Sequence, residues 1–218
     1  IVGAAVEKYE VEKAIKCSVL RPAAHCSGLI FSYKPLSWAC EPGEKRIMQR
    51  SNVPAGNGPV WQADSAELYG DIRLHEGVSV WPNVVMRAES DYIDIGAFTN
   101  IQDFTMIHIA DCPTTIGAYC SITHHCTIHG ATIGDNCLIG INATIMDRAV
   151  IGDNCIIAGH TIVTEDTVIP ANSIVAGAPG KVKATRNNFV ANRLNALAYF
   201  DNGEAYSRGN HRVWADPE

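Results

Sequence analysis

Several absences narrow the function of this chain before any motif is considered. There is no basic excess: 17 Lys and Arg stand against 23 Asp and Glu, for a formal charge of −6 and a pI near 5.7. A nucleic-acid surface or an anionic membrane needs a partner of the opposite sign, so the composition argues against both. No apolar run reaches the roughly 18–20 residues that span a bilayer. The longest, Ala23 to Tyr33, is interrupted by His25 and Ser27, and no transmembrane helix is expected. The eight cysteines contain no C-x-x-C and no paired spacing, which removes the zinc-finger and disulfide-scaffold readings. What remains, at 218 residues with 47% apolar and 18% charged, is one folded domain with a real core plus a tail.

What the sequence has in quantity is a β-branched residue at every sixth position. From Ile133 the series runs Ile139, Ile145, Ile151, Ile157, Val163, Ile169 and Val175. The same period governs three shorter runs upstream: Ile72, Val78, Val84; Ile95, Ile101, Ile107; and Ile116, Ile122, Ile128. Period six is neither the 3.6 of a helix nor the 2 of a flat sheet. It suits a coil of short strands whose corners return the same slot to the interior, a repeat architecture of the solenoid kind. The expected fold is an all-β parallel β-helix, triangular in section with three hexads per turn, cored by ladders of stiff Ile and Val side chains. Cys120, Cys126, Cys137 and Cys155 each lie four residues after a ladder position, a slot filled elsewhere by Thr99, Thr105, Ala143, Ala149, Thr161, Thr167 and Ser173. The slot wants a small residue at a tight corner, and a buried free thiol meets that need. Free thiols suit a reducing compartment, so a cytoplasmic or mitochondrial-matrix setting is expected rather than secretion.

The period breaks in three places: eleven residues separate Val84 from Ile95, nine separate Ile107 from Ile116, and five separate Ile128 from Ile133. Histidines gather between the last two breaks, in SITHHCTIHG (121–130). His108 follows ladder residue Ile107 and His129 follows Ile128, one full turn later, so both point outward from one wall about 4.8 Å apart. His124 belongs to the preceding repeat and a different wall, out of reach of the other two within its own chain. A threefold assembly of such prisms would bring His108 and His129 of one chain against His124 of the next. Three neutral imidazoles with an open position is the donor set of a catalytic zinc.

The residues that surround these histidines resemble a known family. NIQDFTMIH (100–108) followed by ITHHCTIHG (122–130) is similar to the gamma-class carbonic anhydrases, whose double motif is N-x-Q-D-x4-H and H-x4-H-G. The likeness covers about residues 59–182. It implies a left-handed β-helix and a trimer, homomeric or with related chains, with metal at its interfaces. In it His108, His124 and His129 bind Zn2+ or Fe2+, Gln102 orients the metal-bound water, and Arg87 and Asp103 pair across the interface and help hold bicarbonate, with Asn100 completing the motif. The family's R-G-D element reads Arg87-Ala88-Glu89 here, a longer carboxylate in place of Asp. A divalent ion on neutral ligands lowers the pKa of bound water from 15.7 toward about 7, so hydroxide can attack CO2 at neutral pH. The three-residue insertion near Asp111-Cys112-Pro113 is shorter than the acidic loop credited with proton transfer in some members, leaving Asp111 and His125 as candidates for that task.

The remaining segments carry less. AGAPGKV (176–182) closes the coil in many hexapeptide proteins, acyltransferases included, and speaks for fold alone. Phe189, Val190, Leu194, Leu197 and Ala198 fall at helical intervals within about 185–208 and predict a C-terminal helix along the coil. His25, His75, His160 and His211 have no partners at ligand spacing. Residues 1–58 leave the repeat: Ile1, Val2, Ala5, Val6 and Tyr9 suggest a short amphipathic helix, and SNVPAGNGP (51–59) a linker. The expected organisation is therefore an extension at 1–58, the β-helix at 59–183, and a helix and tail at 184–218. Two other functions compete with the enzyme. One is a carbonic-anhydrase-like structural subunit of a larger assembly such as mitochondrial respiratory complex I. The other is an acyltransferase, which normally carries its catalytic His on a long excursion that this sequence lacks.

Overall fold

The computed structural model describes residues 58–213. The proposed amphipathic segment, all but the end of the linker, and His25 lie outside the described residues.

The chain folds as a left-handed parallel β-helix of about six turns, with one helix at its C-terminal end. Most strands are two or three residues long, and each pairs with the equivalent strand one turn on. One wall stacks the strands Met106–His108, Thr127–His129, Thr144–Ile145 and Ile162–Val163 on the first half of Val85–Ile95. The second wall stacks Thr114–Ile116, Thr132–Ile133, Val150–Ile151 and Val168–Ile169 on the second half of that same strand, which runs unbroken around a corner. The third stacks Trp61–Gln62, Ser79–Val80, Asn100–Ile101, Ser121–Ile122, Leu138–Ile139, Ile156–Ile157 and Ser173–Ala176.

All seventeen β-branched residues of the six-residue series are buried, none exposing more than 5% of its surface. In the first turn, however, the register differs from the one expected. Leu74, Val80 and Met86 stand opposite Ile95, Ile101 and Ile107, whereas Ile72, Val78 and Val84 lie two residues earlier. Val78 and Val84 thereby occupy the corner slot that later turns fill with Thr or Cys. Both slots face inward, so β-branching alone could not tell them apart. With Met86 as the reference, the irregular spacing of eleven disappears: Met86 to Ile95 is nine, as Ile107 to Ile116 is. Every change of spacing therefore falls at the same corner, between the first and second walls.

At the corners twelve non-glycine residues adopt left-handed backbone conformations, with φ between 56° and 61°. Asn83, Asn136, Asn142, Asn154 and Asn172 are the expected type there, because a short polar side chain tolerates that region. His125 and His160 are two of the twelve, and His125 stacks flat on Phe104 one turn below, ring centroids 5.0 Å apart. The corner thiols donate upward to the next turn: Cys120 Sγ to Gly134 O at 3.1 Å, Cys126 Sγ to Gly140 O at 3.3 Å, Cys137 Sγ to Gly152 O at 3.2 Å and Cys155 Sγ to Pro170 O at 3.1 Å. All four are buried free cysteines, and burial pushes the Cys126 thiol up to about 11.

After Ala176 the chain reverses. The strand Lys181–Thr185 pairs antiparallel with Ser173–Ala176, then helix α1 (Phe189–Ser207) runs back along the third wall. The helix starts later than its sequence pattern suggested because residues 181–185 are spent on this closing strand. Asn192 Nδ2 donates to the carbonyls of Asn136 at 2.9 Å and Cys155 at 3.2 Å, which fastens the helix to the coil. Farther along, Tyr199 and Tyr206 pack edge-on against Trp81, and Tyr206 also against Trp61. Gly203 brings the helix close to the coil here: a Cβ would sit 3.0 Å from Val60 Cγ1 and 3.3 Å from Ser79 Cβ, tighter than ordinary contact.

Candidate metal centre

The strand pairing sets His108 directly beside His129 on the first wall. Their ring centroids are 4.9 Å apart, the stacking that the repeat predicts, and His108 Nδ1 lies 2.9 Å from His129 Nε2. Each ring's other nitrogen meets a carboxylate. His108 Nε2 is 2.9 Å from Glu89 Oε2, and His129 Nδ1 contacts Asp147 Oδ1. With both carboxylates ionised, the outer nitrogens donate to them, and the two inner nitrogens face each other across a single proton or a single cation. That convergence of two imidazole nitrogens suits a metal with nitrogen ligands.

Glu89 has a second task. Its Oε1 accepts from Arg87 Nη1, so the carboxylate bridges Arg87 and His108 within one chain. The backbone explains the reach: Arg87 and His108 are strand partners, and Glu89 leaves the same strand two residues later. The pairing of Arg87 with Asp103 is expected between chains; within the chain the guanidinium is held by Glu89.

His124 was expected on a different wall; it stands instead at the corner between Ser121–Ile122 and Thr127–His129, the opposite edge of the wall that carries His108 and His129. Its Nδ1 lies 3.0 Å from Asp103 Oδ2, which leaves Nε2 for another partner. Asn100 and Gln102 precede Asp103 on the third wall, and both are buried. Gln102 Nε2 donates to Asn100 Oδ1 at 2.9 Å, Asn100 Nδ2 to Ser121 Oγ at 3.0 Å, and Ser121 Oγ to Asn195 Oδ1 of α1 at 2.7 Å. Tyr199 lies close enough to Asp103 that, after burial, this carboxylate is the next cause pushing its phenol up. The seven residues singled out in the sequence thus fall into two groups. Arg87, His108 and His129 share one edge of the wall; Asp103 and His124 share the corner at the other, and Asn100 and Gln102 lead into that corner from the third wall. Among the described residues, one chain gathers no cluster of three or more His, Cys, Asp or Glu able to hold a metal ion.

Asp111 sits 3.7 Å from Arg148, which also binds Asp166 at 2.7 Å, so that acid belongs to a surface ion-pair group. His75 has a partner after all, with Nε2 2.9 Å from Asp94. Three contributors to the site had not been singled out in the sequence: Ser121, Asp147 and Asn195. Asp147 was hidden by the short corner: this turn takes 17 residues, so Met146 continues the ladder beside His129 and Asp147 lies one residue beyond it. Asn195 belongs to the helix, whose docking no strand period encodes.

Residues 130–165 match the family model "Bacterial transferase hexapeptide (six repeats)". Among solved structures, a hexapeptide transferase family protein from Anaplasma phagocytophilum is similar with a TM-score of 0.61 and 31% identity, over 68% of this chain and 87% of that one. The gamma carbonic anhydrase 2, mitochondrial, of Arabidopsis thaliana is 36% identical over 104 residues, 44% of this chain and 37% of the relative. Protein YrdA of Escherichia coli is 39% identical over 92 residues, 38% of this chain and 50% of the relative. The chain thus spans half or less of the length of these two. A protein of Methanocaldococcus jannaschii named "Probable carbonic anhydrase" is 46% identical over 140 residues, 63% of this chain and 88% of that protein. With that extent of likeness and both histidine motifs intact on the coil, the chain belongs to the gamma-class carbonic anhydrase family.

Proposed function

We propose that this chain is a metal-dependent carbonic anhydrase, hydrating CO2 reversibly to bicarbonate at the interfaces of a trimer. The observation that carries this reading is the division of the site between opposite edges of one wall. A head-to-tail ring of three chains sets the His124 edge of each against the His108 and His129 edge of the next, and a ring of this kind closes on itself. The exposed rings of Phe104 and His125 and the exposed Ile141 flank His124, which suits an edge that meets a neighbour.

His108, His129 and the neighbour's His124 would hold Zn2+, with Fe2+ as the alternative. When bound, such an ion acts as a Lewis acid that makes water acidic enough to ionise near neutral pH. The chain's own residues do the rest. Asp147 and Asp103 fix the orientation of His129 and His124; Arg87, steadied by Glu89, offers a guanidinium to the bicarbonate anion. Gln102, anchored through Asn100 to Ser121 and the helix, presents its amide next to Asp103 at the same edge. The partner is a second copy or a related chain, and the mitochondrial names of the plant relatives support a matrix setting, where a larger respiratory assembly could use the same edges.

Hexapeptide coils also serve acyl transfer, as the name of the similar solved structure says. In this coil the two insertions at the corners are three residues each, too short to carry a catalytic loop. The test is metal analysis of protein prepared without oxygen, beside a CO2 hydration assay and an acetyl-CoA binding measurement, for the wild type and His124→Ala. The expected result is about one ion per chain with hydration activity in the wild type, and a folded His124→Ala chain that has lost both. Wild-type protein that takes up no Zn2+ or Fe2+ would overturn the proposal.

A further inference from the structure

The contact between His129 and Asp147 is built from three separate features of the coil. First, the corner after His129 is one residue shorter than a hexad, with five residues from Ile128 to Ile133. Second, Gly130 turns this corner with φ at +52°, and a Cβ there would meet Asp147 Oδ1 at 2.9 Å, Ala110 Cβ at 3.0 Å and Cys112 Sγ at 3.2 Å. Third, the backbone around Asp147 is fixed from both sides, by Arg148 N donating to Gly130 O at 2.7 Å and Asp166 N donating to Asp147 O at 2.9 Å. The missing side chain at Gly130 is therefore what lets the Asp147 carboxylate reach the imidazole. A partly exposed His–Asp pair does little for stability, so this construction is better explained by what it does to the ring.

We infer that Asp147 is a positioning residue: it holds the Nδ1 proton of His129 and thereby aims the Nε2 lone pair at the point that His108 Nδ1 also faces. The inference rests on the reading of His108, His124 and His129 as metal ligands, and it assigns Asp147 a role through His129, with no contact to substrate. Its chemistry is general, since a carboxylate on the far nitrogen of a ligating imidazole fixes the tautomer and raises ligand basicity, and its loss typically weakens metal binding about 10- to 100-fold.

The test measures Zn2+ affinity by competition with a chromophoric chelator, together with oligomer mass and circular dichroism, for the wild type, Asp147→Ala and Asp147→Asn. Asp147→Ala is expected to bind Zn2+ about 10- to 100-fold more weakly with its fold and mass unchanged. Asp147→Asn keeps an oxygen that accepts the Nδ1 proton, and most of the affinity should return. If the alanine chain fails to fold, Asp147→Ser keeps a polar group, loses the reach, and should show the same weakening. Wild-type affinity in the folded Ala or Ser variant overturns this inference alone. A wild-type chain that binds no Zn2+ overturns the metal-site reading, and this inference with it.

Discussion

Gly130 shows how much one backbone position can decide. Replacing it with Ala forces a non-glycine residue into a left-handed corner where its Cβ crowds Asp147 Oδ1 at 2.9 Å and Ala110 Cβ at 3.0 Å. The expected cost is about 1–3 kcal/mol of stability, read as a lower urea midpoint with an unchanged slope. Cys126 makes a prediction of another kind. Its buried thiol is pushed from an ordinary value of 9.0 up to about 11, so the native state keeps a proton that the unfolded chain gives up above pH 9. By linkage, the stability this thiol supplies is fully present below pH 9 and fades as pH rises toward 11, on the order of 2–3 kcal/mol in all. Urea midpoints followed over that pH range should fall more steeply for the wild type than for Cys126→Ala. The residues of the candidate site were legible for a different reason. A metal donor set needs particular side chains at particular spacings, and His108, His124 and His129 stood at theirs in the bare sequence.

For the strands and the helix, legibility followed the strength of the period. Where the coil is regular, from Ile133 to Val175, the six-residue count gave every inward position, because one stiff side chain recurs in one slot. The first turn was read two residues out of register because Val78 and Val84 make the corner slot resemble a ladder. Only pairing across strands, Val80 with Ile101 and Met86 with Ile107, separates the two. The helix and its course along the coil were foreseen, but the contacts that fasten it were not, since the amide of Asn192 reaching Asn136 O and Cys155 O leaves no periodic trace. Two measurements follow at this scale. Ile139→Ala, at a fully buried position, should destabilise the coil by about 2–5 kcal/mol in equilibrium unfolding. Asn192→Ala should cost about 1–3 kcal/mol, because the buried carbonyl of Asn136 loses its donor and that of Cys155 keeps only Leu138 N, and hydrogen exchange along α1 should quicken.

For the molecule as a whole, the division of the site predicts complementation between defective chains. Neither His124→Ala nor His129→Ala alone can complete a metal centre in a homotrimer. Unfolded together and refolded in equal amounts, they should regain activity, because an interface is whole wherever an intact His124 meets an intact His108 and His129 pair. Random assortment makes that true of about one interface in four, so about a quarter of wild-type CO2 hydration is the expected yield of the mixture. A mixture as inactive as its parents would show that the histidines do not meet between chains.

The way the coil ends has a consequence for how copies behave at high concentration. A parallel stack offers open hydrogen-bonding edges on its last turn, a template on which another coil could seat itself and extend into a fibre. Here the return strand Lys181–Thr185 covers one wall's edge, and the turn before it covers another's, with Ile162 N donating to Gly177 O and Gly180 N to Ile162 O. With two of its three edges capped, this end of the coil leaves, among the described residues, only the strand Val168–Ile169 open to another copy.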